Sequence, residues 1–184
     1  MNDLLHHAAT PYAPLIGLAP LMRRAFLQED LAPLGEALLA RAQAYPDDAH
    51  AYLDFSTVLQ LKGEREMALA VQAQAIDLQQ LYALPAQASQ AGPGIRVLVL
   101  MGPGDLMSNT PIEFLVEQSD VALDLLYLTA DGPLPEEVPD HDVLLVGVAE
   151  SDANHALLAL LAQFVADWPR PVVNLPQHIA HTSR

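Results

Sequence analysis

The sequence predicts a short all-α segment followed by a small α/β domain built on a parallel, doubly wound sheet of about four strands. Three observations lead there. In roughly the first eighty residues, which are rich in Ala, Leu and Gln, apolar side chains recur at three- and four-residue steps. Residues 83–94 are small, uncharged and carry two prolines and two glycines, which marks a linker. Beyond it, continuous blocks of branched apolar residues are separated by Pro, Gly and Asp. Such strands, alternating with helices, bury both faces of a parallel sheet. The expected domains are therefore 1–82, helical, and 95–184, α/β, joined by 83–94.

Residues 14–28 predict a first helix, disturbed by Pro20, and Leu31–Tyr45 a second that ends at Pro46. Asp47 and Asp48 place acids at the start of a third helix, where the helix dipole favours them. That helix runs to about Lys62 and is broken by Gly63. A fourth runs from about Glu64 to Gln80. Tyr52, Phe55, Val58 and Leu59 form one apolar stripe, and Ala68, Val71, Ala75 and Leu78 another. Small alanines opposite aromatics predict a closely packed antiparallel hairpin.

In the second half, Ile95–Met101 reads as a buried strand and Pro111–Glu117 as a helix. Leu123–Leu128 and Asp142–Val148 are the next strands. His155–Trp168 is an amphipathic helix capped by Asp152 or Asn154, and Pro171–Asn174 a fourth strand, with a last helix near Pro176. Numbering these four strands in chain order, the expected order across the sheet is 2-1-3-4.

Composition narrows the function. The chain has 184 residues and no cysteine, so thiol nucleophiles, disulfides and thiolate metal sites are excluded, which fits a reducing, cytoplasmic compartment. No stretch approaches the roughly 20 apolar residues of a membrane span, and no signal peptide pattern opens the chain. The formal charge is −15. A chain this acidic repels phosphate backbones and anionic membrane surfaces, so neither nucleic acid nor membrane is an expected partner.

Chemistry could gather at the loop Gly102-Pro103-Gly104-Asp105-Leu106-Met107-Ser108-Asn109-Thr110, because open α/β sheets bind ligands beyond the carboxyl ends of their strands. Gly102 and Gly104 match the start of a dinucleotide fingerprint, but no third glycine follows at its spacing. Asp105 would repel a pyrophosphate, and no Lys or Arg lies within the next twenty residues. Asn109 or Thr110 can instead cap the following helix, with Pro111 in its first turn. Glu150, Ser151 and Asp152 follow the third strand and would meet this loop if the first and third strands are neighbours. Such residues are more often a helix cap with acids at the positive end of the dipole. The expected substrate-side crevice is thus Gly102, Gly104, Asp105, Asn109, Thr110, Glu150, Ser151 and Asp152, with a neutral or amine ligand. His178 and His181 have chelating spacing but no evident third ligand, and His6-His7 reads as a solvated pair. No metal site, no Gly-x-Ser-x-Gly elbow and no catalytic set is expected.

Two family resemblances add to this reading. Tyr52, Phe55, Ser56, Leu59, Gly63, Ala68 and Ala75 stand where a tetratricopeptide repeat has its signature residues, although Gln72 and Gln80 replace its usual aromatic and proline. One and a half to two such repeats fall short of the roughly three that stand alone, so the resemblance implies support from the α/β domain or from a second copy of the chain. Residues 95–184 resemble the Rossmann-like domain that precedes the catalytic part of ATP-grasp ligases. The stretches are Gly104 to Leu115, Pro139-Asp140-His141-Asp142-Val143 and Val172-Val173-Asn174-Leu175-Pro176-Gln177-His178-Ile179. This resemblance implies the non-catalytic, acceptor-side portion of a carboxylate–amine ligase. ATP and magnesium would then belong to a following domain, and no cofactor to this chain. The alternative is a protein–protein interaction module with no enzymatic activity.

Overall fold

The computed structural model describes residues 12–84, 86 and 94–179. It divides into two compact units, 1–82 and 83–184. Among the described residues, the first unit consists of helices between Leu18 and Leu78. Helix α1 (Leu18–Phe26) carries Pro20 in its first turn, where a missing N–H costs nothing. Helix α2 (Ala32–Ala44) likewise opens with Pro33. Helix α3 (Ala49–Leu61) is capped by Asp48, whose carboxylate accepts from Ala51 N at 3.1 Å. Gly63, at φ +86°, separates it from α4 (Arg65–Leu78).

The helices of this unit fall at the expected places. Tyr52 and Phe55 make contacts toward α2. Tyr52 Oη donates to Ala42 O at 3.3 Å. Phe55 and Val58 are the side chains nearest Gly35. Phe55 also packs on the buried cluster Leu21, Leu31, Leu38 and Val58. Helix α3 is central, in contact with α1, α2 and α4, so its buried surface wraps most of the way round. Ala49, Leu53 and Ser56, about a quarter-turn from Tyr52 and Phe55, are buried as well. On α4, Gln72 is buried beside Ala68 and Ala75, whereas Val71 is only half-buried.

Five strands form the sheet: β1 (Leu81–Leu84), β2 (Ile95–Met101), β3 (Val121–Tyr127), β4 (Val143–Val146) and β5 (Val172–Val173). Their order is β1-β3-β2-β4-β5. The pairs β2–β3, β2–β4 and β4–β5 are all parallel. The four strands read from the sequence thus lie in the expected order 2-1-3-4. The fifth, β1, corrects the expectation of about four strands and of a linker starting at residue 83. Leu81-Tyr82-Ala83-Leu84 is too short to show alternation and continues the composition of α4, yet Leu81 and Tyr82 are buried and Tyr82 Oη donates to Ala75 O at 2.8 Å. The rest of the expected linker falls largely outside the described residues.

The second unit's helices are shorter than expected. Helix α5 (Glu113–Val116) is a single turn with Ile112 at its N-cap, so neither Asn109 nor Thr110 caps it. The connection 128–142 carries no helix. A 3-10 turn at Asp152–Asn154 precedes α6 (His155–Phe164), and α7 (Pro176–Ile179) follows β5. The core of this unit is apolar and completely closed at Leu98, Val99, Leu100, Leu126, Leu144, Val146 and Leu161. None of the described helices is long and apolar enough to cross a membrane.

Candidate functional site

Parallel strands end their carbonyl groups on one edge of a sheet, and the loops that leave β2 and β4 meet there because the two strands are neighbours. The contact is made by backbone. Ala149 N donates to Ser108 O at 2.9 Å, Thr110 N donates to Gly147 O at 2.6 Å, and Asn109 forms an isolated antiparallel bridge with Val148. The loops 102–110 and 149–154 are therefore in register with one another.

Of the side chains expected to line a crevice there, Asn109, Asp105 and Ser151 are engaged within their own loops. Asn109 closes its own loop: its Oδ1 accepts from Gly102 N at 2.8 Å and its Nδ2 donates to Gly102 O at 2.7 Å. At Gly102 a Cβ would lie 2.9 Å from Leu157 Cδ2, so the missing side chain lets α6 approach β2 closely. Gly104 adopts φ +146°, which favours glycine, and a Cβ there would collide with Ser108 Oγ. Asp105 turns back on the loop, accepting from Met107 N at 3.1 Å and Ser108 Oγ at 3.3 Å. Ser151, rather than Asp152 or Asn154, caps the helical segment, its Oγ accepting from Asn154 N at 3.2 Å. Glu150 is half-buried and Asp152 is exposed at the start of the 3-10 turn.

The residue that sequence reasoning under-read is Asn154. It is buried, and its Nδ2 donates both to Ser108 O at 3.0 Å and to Ala149 O at 2.9 Å, one carbonyl from each loop. Its place beside a helix start suggested a cap. Nothing in the spacing of Asn154 and Ser108 along the chain reveals that one side chain ties both loops. Ser108 O thereby becomes a hub, accepting from Ala149 N and Asn154 Nδ2.

A second polar cluster lies in the helical unit. The buried Asp54 accepts from Ile16 N at 2.9 Å and Gly17 N at 3.1 Å, holding the chain as it turns into α1. Burial pushes its carboxyl up to about 6, against the two backbone bonds and the Arg41 charge, which lower it. Arg41 binds Asp48 through both Nε and Nη2, the latter at 2.9 Å, and also donates to Ala13 O at 2.8 Å. In the α/β unit, burial and the nearby Glu113 carboxylate raise the Tyr127 phenol.

Chemically, the two edge loops are tied by the carboxamides of Asn109 and Asn154 and by the Thr110 and Ala149 amides. No group of three or more His, Cys, Asp or Glu among the described residues is arranged to hold a metal ion. His6, His7 and His181 lie outside the described residues. Comparison with models of known protein families, with curated proteins and with solved structures finds no match to this chain.

Proposed function

We propose that this chain is a non-catalytic binding module. In this reading the helical segment is a tetratricopeptide-like pair of hairpins, and the Rossmann-like α/β unit presents its carboxyl edge to a protein partner. The observation that carries it is the mutual satisfaction of the two edge loops. Asn109 and Asn154 spend their carboxamides on Gly102, Ser108 and Ala149. A catalytic or phosphate-binding edge needs its amides and polar side chains directed at a ligand. Purified chain incubated with ATP, Mg²⁺ and mixed amino acids should release no phosphate above the buffer blank. Turnover that persists through purification and disappears in Asp105→Ala overturns the proposal.

One observation favours a narrower version, in which the module is the acceptor-side front portion of an ATP-grasp-type ligase. Between β5 and α7, Asn174 adopts φ +60° and its Nδ2 donates to Val146 O at 2.8 Å. This supports a strand-to-helix step of the kind that the Val172–Ile179 stretch resembles. ATP and magnesium would then be held by a following domain. The native reading frame separates the versions: a ligase requires it to continue past Arg184 by about another domain, roughly 100–200 residues.

A further inference from the structure

We propose that the segment Met107–Leu115, on the carboxyl edge of the α/β unit, docks a cationic amphipathic segment of a partner protein, with Lys or Arg side chains flanking bulky apolar ones. The inference rests on the binding-module reading and adds where the partner sits and what its chemistry is.

Three bulky apolar side chains in nine residues are left to solvent: Met107 at 82% exposure, Leu115 at 76% and Phe114 at 39%. Their backbone is held firmly. Asp105 fixes the turn below Met107, and Thr110 N is bonded to Gly147 O. Leu115 N donates to Ile112 O, and Ile112 is buried. A partner therefore does not have to order this segment, which removes one of the main costs of association.

Charge selects the partner's sign. From Val97 to Pro169 the sequence contains thirteen Asp and Glu and no Lys or Arg. The two described arginines of this unit are engaged with other carboxylates, Arg96 with Asp124 at 3.3 Å and Arg170 with Asp140 at 3.2 Å. Asp105, Glu113 and Glu117 flank the apolar side chains in sequence, and the Ser108–Ala149 bond draws the loop bearing Glu150 and Asp152 to the same edge. Residues 83–184 carry thirteen Asp and Glu against three Arg, and complementary charge speeds encounter and sets specificity. A second copy of the chain is disfavoured, since each copy carries −15. The apolar groups decide where on an acidic surface the partner settles.

The test uses a labelled peptide in which Leu occupies one helical face and Lys the other, titrated with the whole chain at about 150 mM salt, where diffuse attraction is screened beyond about 8 Å. Met107→Ser combined with Leu115→Ser should weaken binding by about tenfold or more. Met67→Ser, at an exposed methionine of the helical unit, should leave it within about twofold. Circular dichroism confirms that each variant is folded. A Glu-for-Lys peptide should not bind. The proposal is overturned if the double variant binds as tightly as the parent, or if a peptide of the same composition with scrambled Leu positions binds equally well. Either result reduces the binding to diffuse attraction. Phosphate release in the turnover assay would instead sink the non-catalytic reading and leave the docking result standing.

Discussion

Two aspartates on adjacent turns of one hairpin show how differently a buried carboxylate can act. Asp48 is used three ways: it caps α3 through Ala51 N and takes both Nε and Nη2 of Arg41. Asp48→Ala removes the cap and leaves Arg41 unmatched in a half-buried setting. The expected loss is about 2–4 kcal/mol in urea unfolding, and Asp48→Asn, which can still cap, should recover part of it. Asp54 has no such ion pair, and burial dominates. Its folded value of about 6 lies above the ordinary 3.8. The protonated form is thus favoured by folding. Its contribution is fully present below about pH 4 and is lost as pH rises through about 6. Stability of the parent relative to Asp54→Asn should therefore fall by on the order of 2–3 kcal/mol between about pH 4 and pH 7. The variant itself should be less stable at all pH values, because an amide nitrogen would face a backbone N–H. A difference that stays flat with pH would show that Asp54 is ionised at no cost. The capping role of Asp48 could be read from Pro46-Asp47-Asp48. The grip of Asp54 on Ile16 and Gly17 could not, since it joins residues 37 and 38 positions apart.

Periodicity and punctuation located most of the elements. The break at Gly63 and the strand Ile95–Met101 follow from punctuation and apolar spacing, because burial is what those patterns record, whereas the order of the four main strands was an expectation from the doubly wound class that spacing does not fix. Two things escaped. Strand β1 is four residues long and carries no alternation. The contacts of Tyr52 and Phe55 with α2 depend on α3 being central, which a single helix pattern cannot express. Ala75 remains completely buried whichever side chains face it. Ala75→Leu should overpack α4 and lower stability by about 1–3 kcal/mol; an unchanged melting temperature would contradict the packing described. In the edge loops, the candidate residues were legible as types but not as roles. Asn109 looked like a cap and is a loop clasp, and Asn154 looked like a cap and ties two loops. Such side chain–backbone bonds depend on where strands end in space. Asn109→Ala should cost about 1–3 kcal/mol in unfolding, since it leaves the Gly102 N–H and carbonyl without this partner. No loss would mean that water or another group replaces the clasp freely.

Across the whole molecule, charge and closure of the sheet edge are the governing facts. A formal charge of −15 on 184 residues works against the folded state through self-repulsion. The melting temperature should therefore rise as salt is raised from about 20 mM to about 500 mM; a fall would mean that attractive pairs outweigh repulsion. Composition made the sign of this field legible from the start, along with the exclusion of thiol chemistry. Closure of the edge was not legible, because Gly102 and Asn109 belong to both the expected crevice and the observed clasp, and Asn154 joins the clasp only through the fold. The direct measurement is amide hydrogen exchange on the intact chain. The amides of Gly102, Thr110 and Ala149, bonded to Asn109, Gly147 and Ser108, should exchange as slowly as the sheet amides of Leu144 and Gly147. If those three exchange at the rate of free peptide while Leu144 and Gly147 stay protected, the edge is open and the binding-module account is contradicted.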